Sequence, residues 1–244
     1  MAEREQVLLE RAFVLHQRPY RDSSQLLECM TATHGRVGLV AKGSRRAGSR
    51  QRALLQPFVP LRVSWVRRGE LGSLTNVEPA GQSCAPAGHG LLAAFYMNEL
   101  LLRLTARGDP SAEVFSCYSR CLALLTETER LARELRIFEL ELLQALGYGL
   151  ELDGDSSTGE PLRAECSYVY ELEGGLCRAE HVDAVADVDV YSGRDLESLR
   201  DRVLDDEGSL RTAQRLLGRA LKSHLGERPI KSRLVLQDIM SRGL

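Results

Sequence analysis

The feature that most constrains the fold is the rhythm of the first 80 residues, where apolar residues come in short runs broken by turn signals. Val7-Leu8-Leu9 leads into Ala12-Phe13-Val14-Leu15, and Leu26 to Ala32 is separated from Val37-Gly38-Leu39-Val40-Ala41 by Thr33-His34-Gly35-Arg36, the pattern of a hairpin. Leu61-Arg62-Val63-Ser64-Trp65-Val66 alternates with period two, Arg67-Arg68-Gly69-Glu70 supplies a turn, and Leu71 to Val77 follows. Five strands in about 75 residues suit a small closed or half-closed barrel of the OB-fold kind.

After Pro79 the composition changes. Ala80-Gly81-Gln82-Ser83 and Pro86-Ala87-Gly88 connect to a helical pattern over Leu91 to Arg107. Asp109-Pro110 then reads as the N-cap and first position of a second helix through Leu125. A third spans about Thr128 to Leu146, with Leu131, Leu135, Phe138, Leu142 and Leu146 at three- and four-residue steps and Gly147 as its stop. Between Glu151 and Asp189 the pattern lapses, and Gly174-Gly175 between Tyr168-Val169-Tyr170 and Leu176 to Ala179 predicts a β-hairpin. Helices resume near Leu196–Val203, Ser209–Leu225 and Val235–Met240. The expected fold is α+β: an OB-fold barrel over 1–79, then a helical domain over 80–244 carrying an irregular acidic insert over 151–189.

Charge is unevenly distributed along the chain. Cys29 to Gly69 holds nine basic residues (Arg36, Lys42, Arg45, Arg46, Arg50, Arg52, Arg62, Arg67, Arg68) and no acid, although the net charge of the 244 residues is only -2. Like charge concentrated in this way calls for an anionic partner. Glu151 to Glu207 holds seventeen acids against five arginines, and Gly208 to Leu244 eight basic residues against two acids, so separate surfaces for separate partners are expected. No run of about eighteen apolar residues occurs and the charged Met1-Ala2-Glu3-Arg4 start has no apolar segment behind it, so a cytoplasmic protein with no membrane partner is expected. The six scattered cysteines (Cys29, Cys84, Cys117, Cys121, Cys166, Cys177) fit reduced, mostly buried thiols.

Gly43-Ser44-Arg45-Arg46-Ala47-Gly48-Ser49-Arg50 approaches a phosphate-binding P-loop but has Ser49-Arg50 where the motif needs Lys and then Ser or Thr. Nucleotide hydrolysis is therefore not expected. What the loop offers instead is flexible backbone and the charges of Lys42, Arg45, Arg46 and Arg50, suited to a phosphate chain. Nucleic acid is the expected ligand, contacted by Arg36, Lys42, Arg45, Arg46, Arg50, Arg52, Arg67 and Arg68. Trp65 is a candidate stacking platform, set against the more ordinary role of a core residue for a lone tryptophan on an alternating strand. Aromatics are otherwise scarce here, which favours backbone-led binding over sequence reading.

Metal chemistry finds no paired ligands, since no Cys-x-x-Cys occurs and Cys166 and Cys177 stand apart. Neither a metal nor another cofactor is expected. No His-Glu-x-x-His or Gly-x-Ser-x-Gly is present, so no catalytic residue is assigned. A nuclease built from Asp187, Asp189 and Asp205-Asp206-Glu207 is the alternative, against the simpler reading of a solvated acidic face. On the third helix Arg130, Arg133 and Arg136 recur at three-residue steps. They form either an ordinary face paired with Glu129, Glu134 and Glu139, or a positive rim for an acidic-hydrophobic peptide.

Several segments together carry a family resemblance. Arg21-Asp22-Ser23-Ser24-Gln25-Leu26-Leu27, Thr33-His34-Gly35-Arg36, Ala41-Lys42-Gly43-Ser44-Arg45-Arg46 and Leu54-Leu55-Gln56-Pro57-Phe58 resemble the N-terminal half of RecO, the bacterial recombination mediator. Phe138 to Leu143 with Leu146-Gly147-Tyr148-Gly149, and Ala220-Leu221-Lys222 with Lys231-Ser232-Arg233, resemble its C-terminal half. The resemblance implies an OB-fold followed by a helical domain and no turnover of a small substrate. It also implies binding of single- and double-stranded DNA, annealing of complementary strands, partnership with RecR, and loading of RecA onto DNA covered by single-strand-binding protein, with a functional link to RecF and a place in the nucleoid. Some members hold zinc through four cysteines in the insert. With only Cys166 and Cys177 there, this chain resembles the zinc-free subgroup, whose members hold the tail of single-strand-binding protein on the helical domain, and the matching segment places Arg133 and Arg136 beside that tail.

Overall fold

The computed structural model describes residues 4–81, 85–126, 130–171, 174–181, 189–226, 230 and 232. Two compact units are formed, Met1–Thr128 with Pro229–Leu244, and Glu129–Arg228.

In the first unit, strands β1 (Glu5–Tyr20), β2 (Ser24–Thr31), β3 (Gly35–Ala41), β4 (Leu61–Arg67) and β5 (Leu71–Pro79) close into a barrel in the order β1-β2-β3-β5-β4. All pairs are antiparallel except β3 with β5, which run parallel at Gly38↔Leu71 and Val40↔Ser73. This is the expected OB-type barrel. β1 is longer than its two apolar runs suggested, because one strand passes from β4 to β2 through bulges at Val7/Glu10 and Val14/His16. Its four consecutive buried residues, Ala12 to Leu15, have a simple cause. Ala12 and Val14 join the barrel core, while Phe13 lies 5.6 Å from the Phe115 ring and 5.3 Å from that of Tyr118, outside the barrel. A strand covered on both faces loses its alternation.

The barrel core contains Val14, Leu27, Leu39, Leu61, Val63, Trp65 and Leu74 among others. A Cβ on Gly72 would stand 2.7 Å from Leu39 and 3.0 Å from the Trp65 ring, so the absence of a side chain there makes room for the indole. Between β3 and β4 the chain forms a five-residue helix, α1 (Arg50–Leu54), with no buried residue.

Helices α2 (Gly88–Leu104) and α3 (Ala112–Leu124) belong to the same compact unit as the barrel. Buried Asn98 ties them together, donating to the Leu15 carbonyl at 2.9 Å and accepting from the Tyr118 hydroxyl at 2.7 Å. α3 starts later than Asp109-Pro110 implied. Its N-cap is Ser111, whose Oγ accepts from the Val114 N–H at 3.2 Å, because that hydroxyl reaches a free amide of the first turn.

The second unit holds α4 (Leu131–Ala145), a three-stranded sheet of β6 (Ser167–Glu171), β7 (Gly175–Arg178) and β8 (Val190–Ser192) in the order β7-β6-β8, and helices α5 (Gly193–Arg200) and α6 (Glu207–Leu225). The β6/β7 hairpin matches expectation. β8 was not foreseen, and it pairs Tyr191 with Tyr168, both fully buried. The helix expected at Val235–Met240 lies outside the described residues, as do Cys84 and Asp187. No helix among the described residues is long and apolar enough to cross a membrane.

Candidate nucleic-acid interface

The loop from Lys42 to Leu54 is pinned at both ends and open between. Buried Ser44 donates from Oγ to the Ala41 carbonyl at 2.9 Å, the Arg45 N–H donates to the Ser23 carbonyl at 2.9 Å, and Leu55, fully buried, enters the barrel core. Lys42, Arg45, Arg46, Arg50 and Arg52 are all solvent-exposed, and none of them forms an ion pair among the described residues. Five cations on one uncovered loop keep their full field for a ligand, whereas a cation beside a carboxylate does not.

The structure adds Arg18 and Arg21, which sequence reading missed. β3 leaves the barrel at Ala41, opposite Gln25, which itself faces Pro19, so the loop emerges beside the β1–β2 turn. Arg18 and Arg21 are exposed there, and one Arg45 guanidinium nitrogen lies 3.4 Å from the Arg21 and Asp22 carbonyls. Asp22 and Glu28 interrupt the basic run in sequence, so a count of local charge stops short of these two. Only the strand pairing reveals their place.

Three of the expected contacts require correction. Trp65 is fully buried in the barrel core with His34 edge-on at 5.2 Å, so it offers no face to a base. Arg36 is committed to Glu28 at 3.1 Å and to the Thr105 carbonyl at 2.9 Å, and Glu28 also takes Arg107. That hydrogen bond to Glu28, opposed by burial and assisted by the same carboxylate's charge, raises the Arg107 pKa. The Arg67 guanidinium is held by Glu5 at 2.6 Å. Arg36 and Arg67 therefore fasten the barrel, Arg67 through Glu5 and Arg36 through a Glu28 that it shares with Arg107.

Arg68 is exposed and lines an open cleft with Arg4, Gly69 and Ser73. It sits apart from the loop: the β4–β5 turn adjoins Gly38, while the loop leaves from Ala41, about 10 Å further along β3.

In the second unit Arg133 and Arg136 have internal partners. Arg133 donates to the carbonyls of Val203 at 2.7 Å and Arg202 at 3.0 Å and lies 3.4 Å from Glu134. It thereby holds the α5–α6 connection, where Arg202 and Leu204 have positive φ. Arg136 is 9% exposed and bound at 2.9 Å to Glu139, which is fully buried. The paired face, not a free positive rim, describes these two, because carboxylates and carbonyls of their own unit already occupy the guanidinium edges.

The acids weighed for a nuclease site are placed apart from one another in role. Asp206 is the N-cap of α6, its carboxylate held below the usual range by the Ser209 N–H and hydroxyl against a smaller effect of burial. Asp189 meets Arg215 at 3.4 Å, and Asp205 is largely exposed. Among the described residues no three His, Cys, Asp or Glu are grouped to hold a metal ion. Burial pushes the thiols of Cys29 and Cys117 up to about 12, the state of inert core cysteines.

A closed five-stranded barrel of OB topology that bears an unneutralised cationic loop, followed by a helical domain, defines a polyanion-facing OB-fold protein. The family model described as Recombination protein O N terminal matches residues 6–82, and that described as Recombination protein O C terminal matches residues 86–234. The chain is 44% identical to the DNA repair protein RecO of Nitrosococcus oceani over 97% of its own length and 96% of the relative's. It is 44% identical to that of Methylococcus capsulatus over 93% and 92%, and 39% identical to that of Coxiella burnetii over 94% and 98%. The chain belongs to the RecO family of DNA repair and recombination proteins.

Proposed function

We propose that this protein is a DNA-binding recombination mediator that acts by bringing strands and proteins together, without chemical turnover. One observation carries the reading: Lys42, Arg45, Arg46, Arg50 and Arg52 share one exposed loop with no carboxylate partner among the described residues. Such a loop takes up phosphates of either single or double strands by counter-ion release, with little dependence on sequence. A protein that grips backbones this way can hold two complementary strands together and then let the duplex go, which is the physical requirement for annealing. In this reading the protein partners RecR, delivers RecA to DNA coated by single-strand-binding protein, is linked to RecF, and works in the cytoplasm at the nucleoid; membership of the RecO family supports the DNA repair and recombination role within which these steps fall. Binding of the acidic-hydrophobic tail at Arg133 and Arg136 requires an exchange of their present partners for the tail's carboxylates. Our proposed boundary between DNA-binding and helical domains lies near Pro79; the junction of the two family models supports it, while α2 and α3 pack in the same compact unit as the barrel.

Reversing charge at Arg45→Glu, Arg46→Glu and Arg50→Glu together is expected to weaken single- and double-strand binding by more than about tenfold and to flatten its salt dependence. The same variant should anneal complementary strands slowly. A folded variant with unchanged affinity and salt slope overturns the assigned surface. Cleavage of labelled DNA by the pure wild-type protein with magnesium overturns the absence of turnover.

A further inference from the structure

With Trp65 buried, the aromatic ring beside the cationic loop is that of half-buried Tyr20, which already carries the Arg21 guanidinium at 5.3 Å, yet the same compact unit exposes a more open ring elsewhere. Phe95, on α2, is 45% exposed, although the neighbouring Ala94 and Tyr96 are buried. Its ring is steadied edge-on by Phe58 at 5.0 Å and 77°. Phe58 itself is buried with φ +69, a conformation that bulky residues adopt only where the surroundings enforce it.

The exposed ring borders a groove of about 730 Å³ with apolar walls from Leu15, Pro57 and Leu102 and the amides of Gln17 and Gln56 at its edge. This groove continues the cationic loop. Gln56 follows α1 by two residues, donates to the Arg52 carbonyl at 2.7 Å, and accepts from Gln17 at 3.3 Å. The acid on its rim, Glu99, is occupied by the Ser232 N–H at 3.0 Å and hydroxyl at 2.6 Å, with Arg103 at 3.8 Å.

We infer that this groove receives an unstacked nucleobase of single-stranded DNA, with the Phe95 ring as its stacking face and the Lys42–Arg52 loop on the flanking phosphates. The inference rests on the loop being the DNA surface. An open aromatic beside a cationic backbone track is the arrangement that single strands use, since every base has a π-face to offer. Paired bases in a duplex have theirs covered, so the ring should separate the two forms of DNA where the loop alone does not. The cations alongside make nucleic acid a better occupant than an apolar protein anchor, which would gain nothing from them.

The test uses the full chain with fluorescein-labelled oligo(dT), the same strand carrying abasic sites, and a duplex hairpin, each at fixed salt. Phe95→Leu keeps the apolar contact with Phe58 and removes the ring. It is expected to weaken oligo(dT) binding about tenfold, with duplex binding and salt slope unchanged. Phe95→Trp should retain wild-type affinity, and the abasic strand should bind wild type about as weakly as oligo(dT) binds Phe95→Leu. Wild-type oligo(dT) affinity in Phe95→Leu, or an equal loss on the duplex, overturns the groove while leaving the loop intact. A wild type that binds none of the probes overturns the loop first and the groove with it.

Discussion

The guanidinium of Arg136 and the carboxylate of Glu139 meet at 2.9 Å where solvent hardly reaches either side chain. Removing one member of such a pair strands the other charge in a medium that solvates it poorly. Arg136→Ala is therefore expected to lower stability by about 3 kcal/mol, and the double change Arg136→Met with Glu139→Leu to recover most of it. Urea denaturation of both variants checks this. A small effect of Arg136→Ala would show that the arginine is available to a partner after all. The loop arginines should behave in the opposite way, since exposed positions without packing or ion pairs change stability by about 0.5 kcal/mol or less. The sequence displays Arg36, Arg50, Arg67 and Arg136 as equivalent positive charges. What separates them is whether the fold brings an acid alongside, as it does Glu5 for Arg67 across 62 positions, Glu28 for Arg36 from the neighbouring strand and Glu139 for Arg136 from the next turn of α4. That information lies in the fold, so charge density in the sequence singles out the loop but also counts cations that the fold has paired.

At the scale of elements, the strands of the barrel were legible because period-two alternation is a local property and Gly, Pro and charged turns mark its ends. α1 was not, because five residues with no buried side chain leave no apolar stripe to read. β8 was not, because Val190–Ser192 is too short to show a period and exists as a strand through its pairing with β6. The acidic insert also hides an internal fastening. Asp155 is 1% exposed, and burial alone would raise its pKa, but the Ser157 hydroxyl and the N–H groups of Arg178, Ser157 and Thr158 together hold it below the ordinary aspartate range. A carboxylate depressed on folding contributes stability at pH above the unfolded value of about 3.9, and that contribution is lost as pH falls through the lower folded value. The β6/β7 hairpin, tied through the Arg178 N–H at 3.0 Å, should therefore loosen on acidification below about pH 4. Asp155→Asn should be less stable at neutral pH and lose this acid limb. Near-UV circular dichroism, which senses buried Tyr168 and Tyr191, reads both effects, and a wild-type acid limb in Asp155→Asn refutes the assignment.

On the scale of the whole molecule a net charge of -2 would suggest indifference to DNA, because the seventeen acids between Glu151 and Glu207 offset the basic residues of the barrel in the sum. The sum is the wrong quantity. Beyond one Debye length, about 8 Å at physiological salt, exposed charges are screened, so a phosphate at the Lys42–Arg52 loop feels that loop and its immediate neighbours. Binding should accordingly show the salt dependence of a local cationic patch: if five cations each neutralise one phosphate, log K against log salt falls with a slope of about −3.5 on single strands and −4.5 on duplex. Neutralising Arg45, Arg46 and Arg50 to alanine should lower the single-strand slope by about 2, whereas neutralising Arg36, already bound to Glu28, should leave it unchanged. Titrating a labelled strand at a series of salt concentrations measures all three slopes. A slope near zero, or one that Arg36→Ala reduces as much as a loop arginine does, would mean that net charge rather than the uncovered loop governs the encounter with DNA.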